Sequence, residues 1–135
     1  MHIRNWLVRN LVIFGAVAYS ALICYLSIGR ISVPDQIHFN YSDKIGHFLA
    51  YFGLTVVWFT CFFVLYKKSN NQSLVFAIFF SVIFGILMEV LQSWLTDYRT
   101  ADWFDIMANT IGALLAGIAI KYNLKYIEQI KNRWW

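Results

Sequence analysis

Polar and apolar positions in this chain fall in long blocks, not in short alternations. Four apolar runs stand out: Leu11 to Ile28, Phe48 to Tyr66, Leu74 to Leu95 and Trp103 to Tyr122. Each approaches the ~20 residues that cross ~30 Å of hydrocarbon at a helical rise of ~1.5 Å per residue. Isolated strands would leave backbone groups unpaired in lipid, so helices are the element that such runs can form. No internal repeat of useful length and no low-complexity linker interrupts them. The pattern predicts an all-α, polytopic membrane bundle of four transmembrane helices, forming a single domain over residues 1–135.

The first run has a basic start (Arg4, Arg9) and a small-residue stretch, as a signal peptide would. Its apolar part is longer than a typical h-region of about 7–15 residues and lacks a clean cleavage site, so it reads as a retained span. Loop charges then orient the bundle. The N-terminus carries Arg4 and Arg9 without an acid, and the second connection carries Lys67 and Lys68 without one. The tail has Lys121, Lys125, Lys131 and Arg133 against Glu128. On the other side, Arg30 and Lys44 balance Asp35 and Asp43, while Asp97, Asp102 and Asp105 outweigh Arg99. A Lys/Arg excess marks the cytoplasmic side, so both termini are expected there, with loops Gly29–Lys44 and Thr96–Trp103 outside. In the tail, 121–135, Leu124, Ile127, Ile130 and Trp134 recur at near-helical spacing. Two forms fit: a short interfacial helix, or a frayed polar end anchored by its aromatics.

Composition agrees with lipid as the solvent. The chain is 60% hydrophobic and 13% charged, against about 25% charged in soluble domains, too little to cover a soluble protein. The net charge of +4 sits in short clusters beside the apolar runs, with no basic stripe or nucleic-acid motif, which excludes nucleic acid as a partner. Cys24 and Cys61 both lie inside apolar runs without a CxxC and read as packing residues.

The informative residues are the polar ones inside the spans. Glu89 lies six residues before Leu95, ~9 Å below the outer end of the third span. A carboxylate at that depth costs several kcal/mol unless paired or protonated. Gln92 shares its helical face, and Gly85, one turn back, permits close helix approach. In the fourth span Asp102, Asp105, Asn109, Gly112 and Ala116 form one stripe, polar outside and small deeper down, with Ala113 and Gly117 as a second small pair. In the second span Asp43 and His47 share a face that Tyr51 continues. Topology alone brings these groups to one depth at the outer leaflet, with Arg99 in the loop above.

Two readings follow. In the first, the cluster is a site open to the outer leaflet, because ionisable residues within spans are functional candidates by default. Glu89, His47 and Asp105 are then the candidate catalytic groups, with Glu89 as general acid or base and His47 as proton shuttle. Arg99, Asp43, Gln92 and Asn109 would bind substrate, the guanidinium of Arg99 gripping a phosphate or carboxylate. A membrane lipid or lipid-linked ligand is the expected partner. In the second, the cluster is a polar clamp that fixes helix register in a non-enzymatic interaction protein, with the small-residue faces docking a homo- or hetero-oligomeric partner. His47, Glu89, Asp102 and Asp105 also offer metal-ligand chemistry, but no HExxH or similar spacing occurs, so neither a metal nor a cofactor is assigned. A small transporter is disfavoured by the absence of a broken helix or repeat pair.

At these positions the chain resembles the VanZ-like family of bacterial membrane proteins. Asp43-Lys44-Ile45-Gly46-His47-Phe48 resembles the family's D-K-x-x-H-F, and Glu89-Val90-Leu91-Gln92 its E-x-x-Q. Arg99, Asp105, Asn109 and Gly112 fit its R-x-x-x-x-x-D-x-x-x-N-x-x-G. Where members often carry Pro-Gly before the arginine, Asp97-Tyr98 stand here. The likeness spans about residues 40 to 117 and its three motifs occur in order. It implies about four helices in a bacterial cytoplasmic (inner) membrane. The family's namesake is associated with resistance to teicoplanin, a lipid-bearing glycopeptide. The resemblance implies the same site residues: Asp43, His47, Glu89, Gln92, Arg99, Asp105 and Asn109.

Overall fold

The computed structural model of the chain describes residues 2–29, 42–65, 70–97 and 101–134, with side chains described between residues 6 and 130 of those ranges. Four helices follow one another: α1 (His2–Ile28), α2 (Ser42–Leu65), α3 (Asn70–Leu95) and α4 (Trp103–Trp134). All four are long and apolar enough to cross a membrane. The all-α, four-span expectation therefore holds. The Arg30, Asp35, Lys67, Lys68 and Arg99 expectations lie outside the described residues.

The helices outrun the apolar blocks where nothing stops them. α1 begins at His2 and not at Leu11, because no Pro or Gly breaks the basic start. α4 runs unbroken to Trp134, so the tail is neither a separate interfacial helix nor a frayed end. No Pro or Gly follows Gly117 to end it. Leu124 and Ile127 pack against the cluster of Phe59, Phe63, Leu74, Ala77 and Ile120. Their apolar stripe thus docks on α2 and α3, and Asn70 on α3 donates to Glu128 of α4.

Caps fix the ends nearest the polar cluster. The Gly29 amide donates to the Tyr25 carbonyl at the end of α1. Thr96 closes α3, its hydroxyl and amide both donating to the Gln92 carbonyl. Asp102 caps α4: its Oδ1 accepts from the Phe104 amide at 2.9 Å. Its carbonyl accepts from the amides of Asp105 and Ile106.

α2 and α4 make the most extensive contact, and α3 packs on both. α1 lies to one side against α2 and, less, α3. It is tied on by polar links: Trp58 Nε1 donates to Ser20 Oγ at 3.0 Å, Tyr19 to the Ala50 carbonyl, and Gln92 Nε2 to the Ser27 carbonyl at 2.8 Å. The last link puts the end of α1 beside the end of α3. The starts of α2 and α4 share that end of the bundle through His47 and Asn109. Both termini therefore lie at the opposite end. Trp94 and Trp103 are exposed at the polar end, Tyr122 at the other. From Trp103 to Tyr122 the α4 axis advances roughly 28 Å, close to the ~30 Å hydrocarbon thickness between two aromatic belts.

The small residues of α4 approach the neighbouring helices closely. Gly112 faces the Phe48 backbone carbonyl of α2 so closely that a Cβ would strike it. Gly117 takes the Ile78 side chain of α3, and Ala113 and Ala116 are fully buried. Gly112→Ala should therefore destabilise the bundle by about 1–3 kcal/mol, because a backbone atom cannot rotate away. Gly15→Ala, where a Cβ meets nothing within 4 Å, should leave the melting temperature unchanged or raise it. Thermal unfolding of both variants in one detergent checks the pair.

Candidate functional site

The first turns of α2 and α4 and the last turns of α3 meet at a single imidazole. His47, on α2, presents Nδ1 to Asn109 Oδ1 of α4 at 3.1 Å and to Glu89 Oε1 of α3 at 3.6 Å. Its other nitrogen, Nε2, faces Asp43 Oδ1 at 3.8 Å and Asp105 Oδ2 at 3.7 Å. The i,i+4 spacing of Asp43 and His47 puts them on one face of α2. The same spacing stacks Asp105 and Asn109 on α4. Gly85 admits the close approach: a Cβ there would lie 3.0 Å from Tyr51 Cε1 and 3.2 Å from Asn109 Cβ.

The hydrogen bond fixes the ring. With the amide oxygen of Asn109 turned to the ring, the tautomer that fits carries its proton on Nδ1 and donates to Asn109. In the neutral ring, the Nε2 lone pair then points between two carboxylates. Glu89 is 2% exposed, Asn109 2% and Asp105 5%, so all three are withdrawn from solvent and lipid alike. Asp43 is half-exposed and forms the mouth.

A second polar group joins the first. Lys44 Nζ lies 2.6 Å from Asp102 Oδ2 and 2.7 Å from Asp105 Oδ1. Asp105 is thus shared, one oxygen on the ammonium and the other toward the imidazole. Beneath the ring, two buried donors meet no protein acceptor: the Tyr51 hydroxyl and Asn109 Nδ2. Both lie against Gly85.

Of the residues expected at the site, Asp43, His47, Glu89, Asp105 and Asn109 are brought together. Gln92 is not. It lies on the same buried face of α3, but its amide is committed to the Ser27 carbonyl of α1, where it serves as an inter-helix tie. Arg99 lies outside the described residues. Lys44 was missed as a site residue because its charge was counted with the loop. The signal was its place beside Asp43 on the first turn of a helix that faces two α4 acids. Tyr51 continued the Asp43–His47 face, but its unmet hydroxyl depends on its neighbours.

The model of the VanZ/LLP1 family matches residues 3–125. The match takes in α1, which the three motifs left outside. A curated relative, an uncharacterised protein of the fission yeast Schizosaccharomyces pombe, is 35% identical over 91 residues, 67% of this chain and 54% of the relative. The chain thus spans about half the length of the curated relative it matches. No solved structure matches at a significant level.

The Lys44 ammonium, and after it the Phe104 amide, hold the Asp102 carboxyl below its ordinary value of 3.8. A carboxyl lowered on folding stabilises fully above its unfolded pKa, and its contribution is lost as pH falls through the folded value. Asp102→Asn keeps the cap acceptor and removes only the charge. The melting-temperature gap between wild type and this variant should be flat above about pH 5 and close progressively below about pH 4. A gap that widens in acid would show that Lys44 does not rely on Asp102.

Proposed function

The chain belongs to the VanZ-like family, and from that membership and the geometry at His47 we propose that it is a cell-envelope membrane protein that binds or modifies an amphipathic ligand. The ligand class is a lipid-linked phosphate or glycan, entering at the outer leaflet; the lipid-bearing glycopeptide associated with the family's namesake is one molecule of this kind. Both termini are then cytoplasmic, the side the Lys/Arg distribution favours, in a bacterial cytoplasmic membrane if the source is a bacterium. The similarity itself reaches a eukaryote.

One observation carries the proposal. The Tyr51 hydroxyl and Asn109 Nδ2 are buried donors without a protein acceptor, close to His47 and Glu89. A clamp that serves only stability satisfies its donors, because an unpaired one costs about 1–3 kcal/mol away from water. A phosphate or sugar oxygen is the acceptor that such donors fit. Glu89 and His47 then handle protons at the bound group, with Asp105 and Asn109 orienting the imidazole. Arg99, in the loop above by sequence, supplies the planar fork for an anion, and Asp43 stands at the mouth.

The interaction-protein reading also has an observation in its favour. Lys44 bridges α2 to two acids of α4, and Gln92 ties α3 to α1. Those are ties between helices, as a clamp requires.

Two measurements on one set of proteins separate them. Purified wild type in nanodiscs should retain a polyprenyl phosphate saturably, and Glu89→Gln and His47→Gln should each weaken retention at least about ten-fold. Glu89→Gln should melt at the wild-type temperature or above, since functional sites are commonly strained. A clamp predicts the reverse: no retention across a panel of polyprenyl phosphates and glycolipids, and a loss of about 3–5 kcal/mol on removing one member of a buried charged pair.

A further inference from the structure

We propose that Asp43, His47 and Asp105 form the coordination site of a divalent transition cation. One donor atom from each lies within 4.8 Å of the others. The spacing is informative. His47 Nε2 sits 3.7 Å from Asp105 Oδ2 and 3.8 Å from Asp43 Oδ1. A protonated Nε2 would draw a carboxylate to about 2.7–2.9 Å. Two ligands about 2.0–2.2 Å from one metal instead stand roughly 3.3–3.8 Å apart at angles from tetrahedral to trigonal. The observed gaps match the second case, near its wide limit.

The buried carboxylate gives an independent sign. The Asp105 side chain is 8% exposed. Its Oδ1 is held by Lys44 at 2.7 Å, and its Oδ2 stands 3.7 Å from the imidazole nitrogen. A carboxylate oxygen withdrawn from water and turned toward a ring lone pair is repelled by it unless a positive charge lies between.

The surroundings complete the set. A metal-bound imidazole donates its other N–H to an oxygen that fixes tautomer and orientation, and Asn109 Oδ1 accepts from Nδ1 at 3.1 Å. Lys44 touches Asp102 and Asp105 about equally closely and offsets part of their charge. One imidazole and two carboxylates are a mixed nitrogen and oxygen set, which suits Mn²⁺ or Zn²⁺ better than Ca²⁺ or Cu⁺. Half-exposed Asp43 offers an entry path. Three protein ligands leave positions open for an outside oxygen.

The cation rests on this geometry alone, and its further role, bridging the site's acids to a ligand phosphate, rests on the lipid-phosphate proposal above. With Nε2 on the metal, proton handling passes from His47 to Glu89. The probes are Mn²⁺, followed by electron paramagnetic resonance, and Zn²⁺, followed by calorimetry. The protein is the full chain, stripped with chelator and held in detergent without added lipid.

Wild type should take up one saturable equivalent and melt at a higher temperature with metal than without. Asp43→Asn, at the exposed mouth, should weaken uptake at least about ten-fold while keeping the wild-type circular dichroism, and His47→Gln should abolish it. Folded wild type that binds neither ion overturns the proposal, as does binding that both variants leave unchanged. Repeating the titration with polyprenyl phosphate separates the two claims. Metal uptake without lipid retention supports the cation site and removes the lipid reading. Lipid retention by folded protein that takes up neither ion does the opposite.

Discussion

Every feature at the polar end depends on one constraint: ionisable groups withdrawn into a membrane bundle must be placed against one another. Glu89 sits almost fully buried, several residues inside its helix, where water cannot solvate it. Its position is tolerable because α2 brings His47 to within 3.6 Å and α4 brings Asn109 to the same ring. An imidazole can be shared in this way because it has two chemically distinct nitrogens. One is committed to the amide, and the other is left to the carboxylates.

That meeting point sets the backbone packing beneath it. Three helices can converge on one imidazole only if their axes come close, and side chains on the facing stripes would prevent this. Gly85 makes room for Tyr51 and Asn109, and Gly112 for the Phe48 carbonyl. The glycines and the polar residues therefore belong to one device on adjacent turns. At the far end the demand is lighter: Phe59, Phe63, Leu74 and Ile120 bring large side chains to the contact, beside the small Ala77. α1 takes no part in the convergence, and it is accordingly the most exposed helix, held by Ser20, Tyr19 and Ser27 at its edge.

Much of this was legible in the sequence, for definite reasons. Four long apolar blocks leave helices as the only element, and alternating topology forces Asp43, His47, Glu89, Asp105 and Asn109 to one depth. What the sequence withheld was azimuth. Gln92 is three residues from Glu89 and lies on the same buried face, yet the few tens of degrees between them turn one toward α2 and α4 and the other toward α1. Lys44 was legible as a charge but not as a link, because its partners Asp102 and Asp105 are 58 residues or more away in the chain. The tail misled for a related reason. Its lysines and apolar residues alternate as on a surface helix, but continuity with α4 turns Leu124 and Ile127 onto the core.

The number of charges also distinguishes the readings of the site. A clamp between α2 and α4 is complete with Lys44 and Asp102, a pair at the rim where water shares the cost and whose value is modest. Asp105 adds a second partner to the same lysine at nearly full burial, where the cost of desolvation rises faster than the gain from pairing. Glu89 adds a further acid, almost fully buried and 3.6 Å from the imidazole. Each addition makes the arrangement a less economical fastener, since apolar residues of the same volume hold buried helices as well or better. Buried donors left unmet below the imidazole are instead what a site looks like when the remaining acceptor arrives from outside the chain.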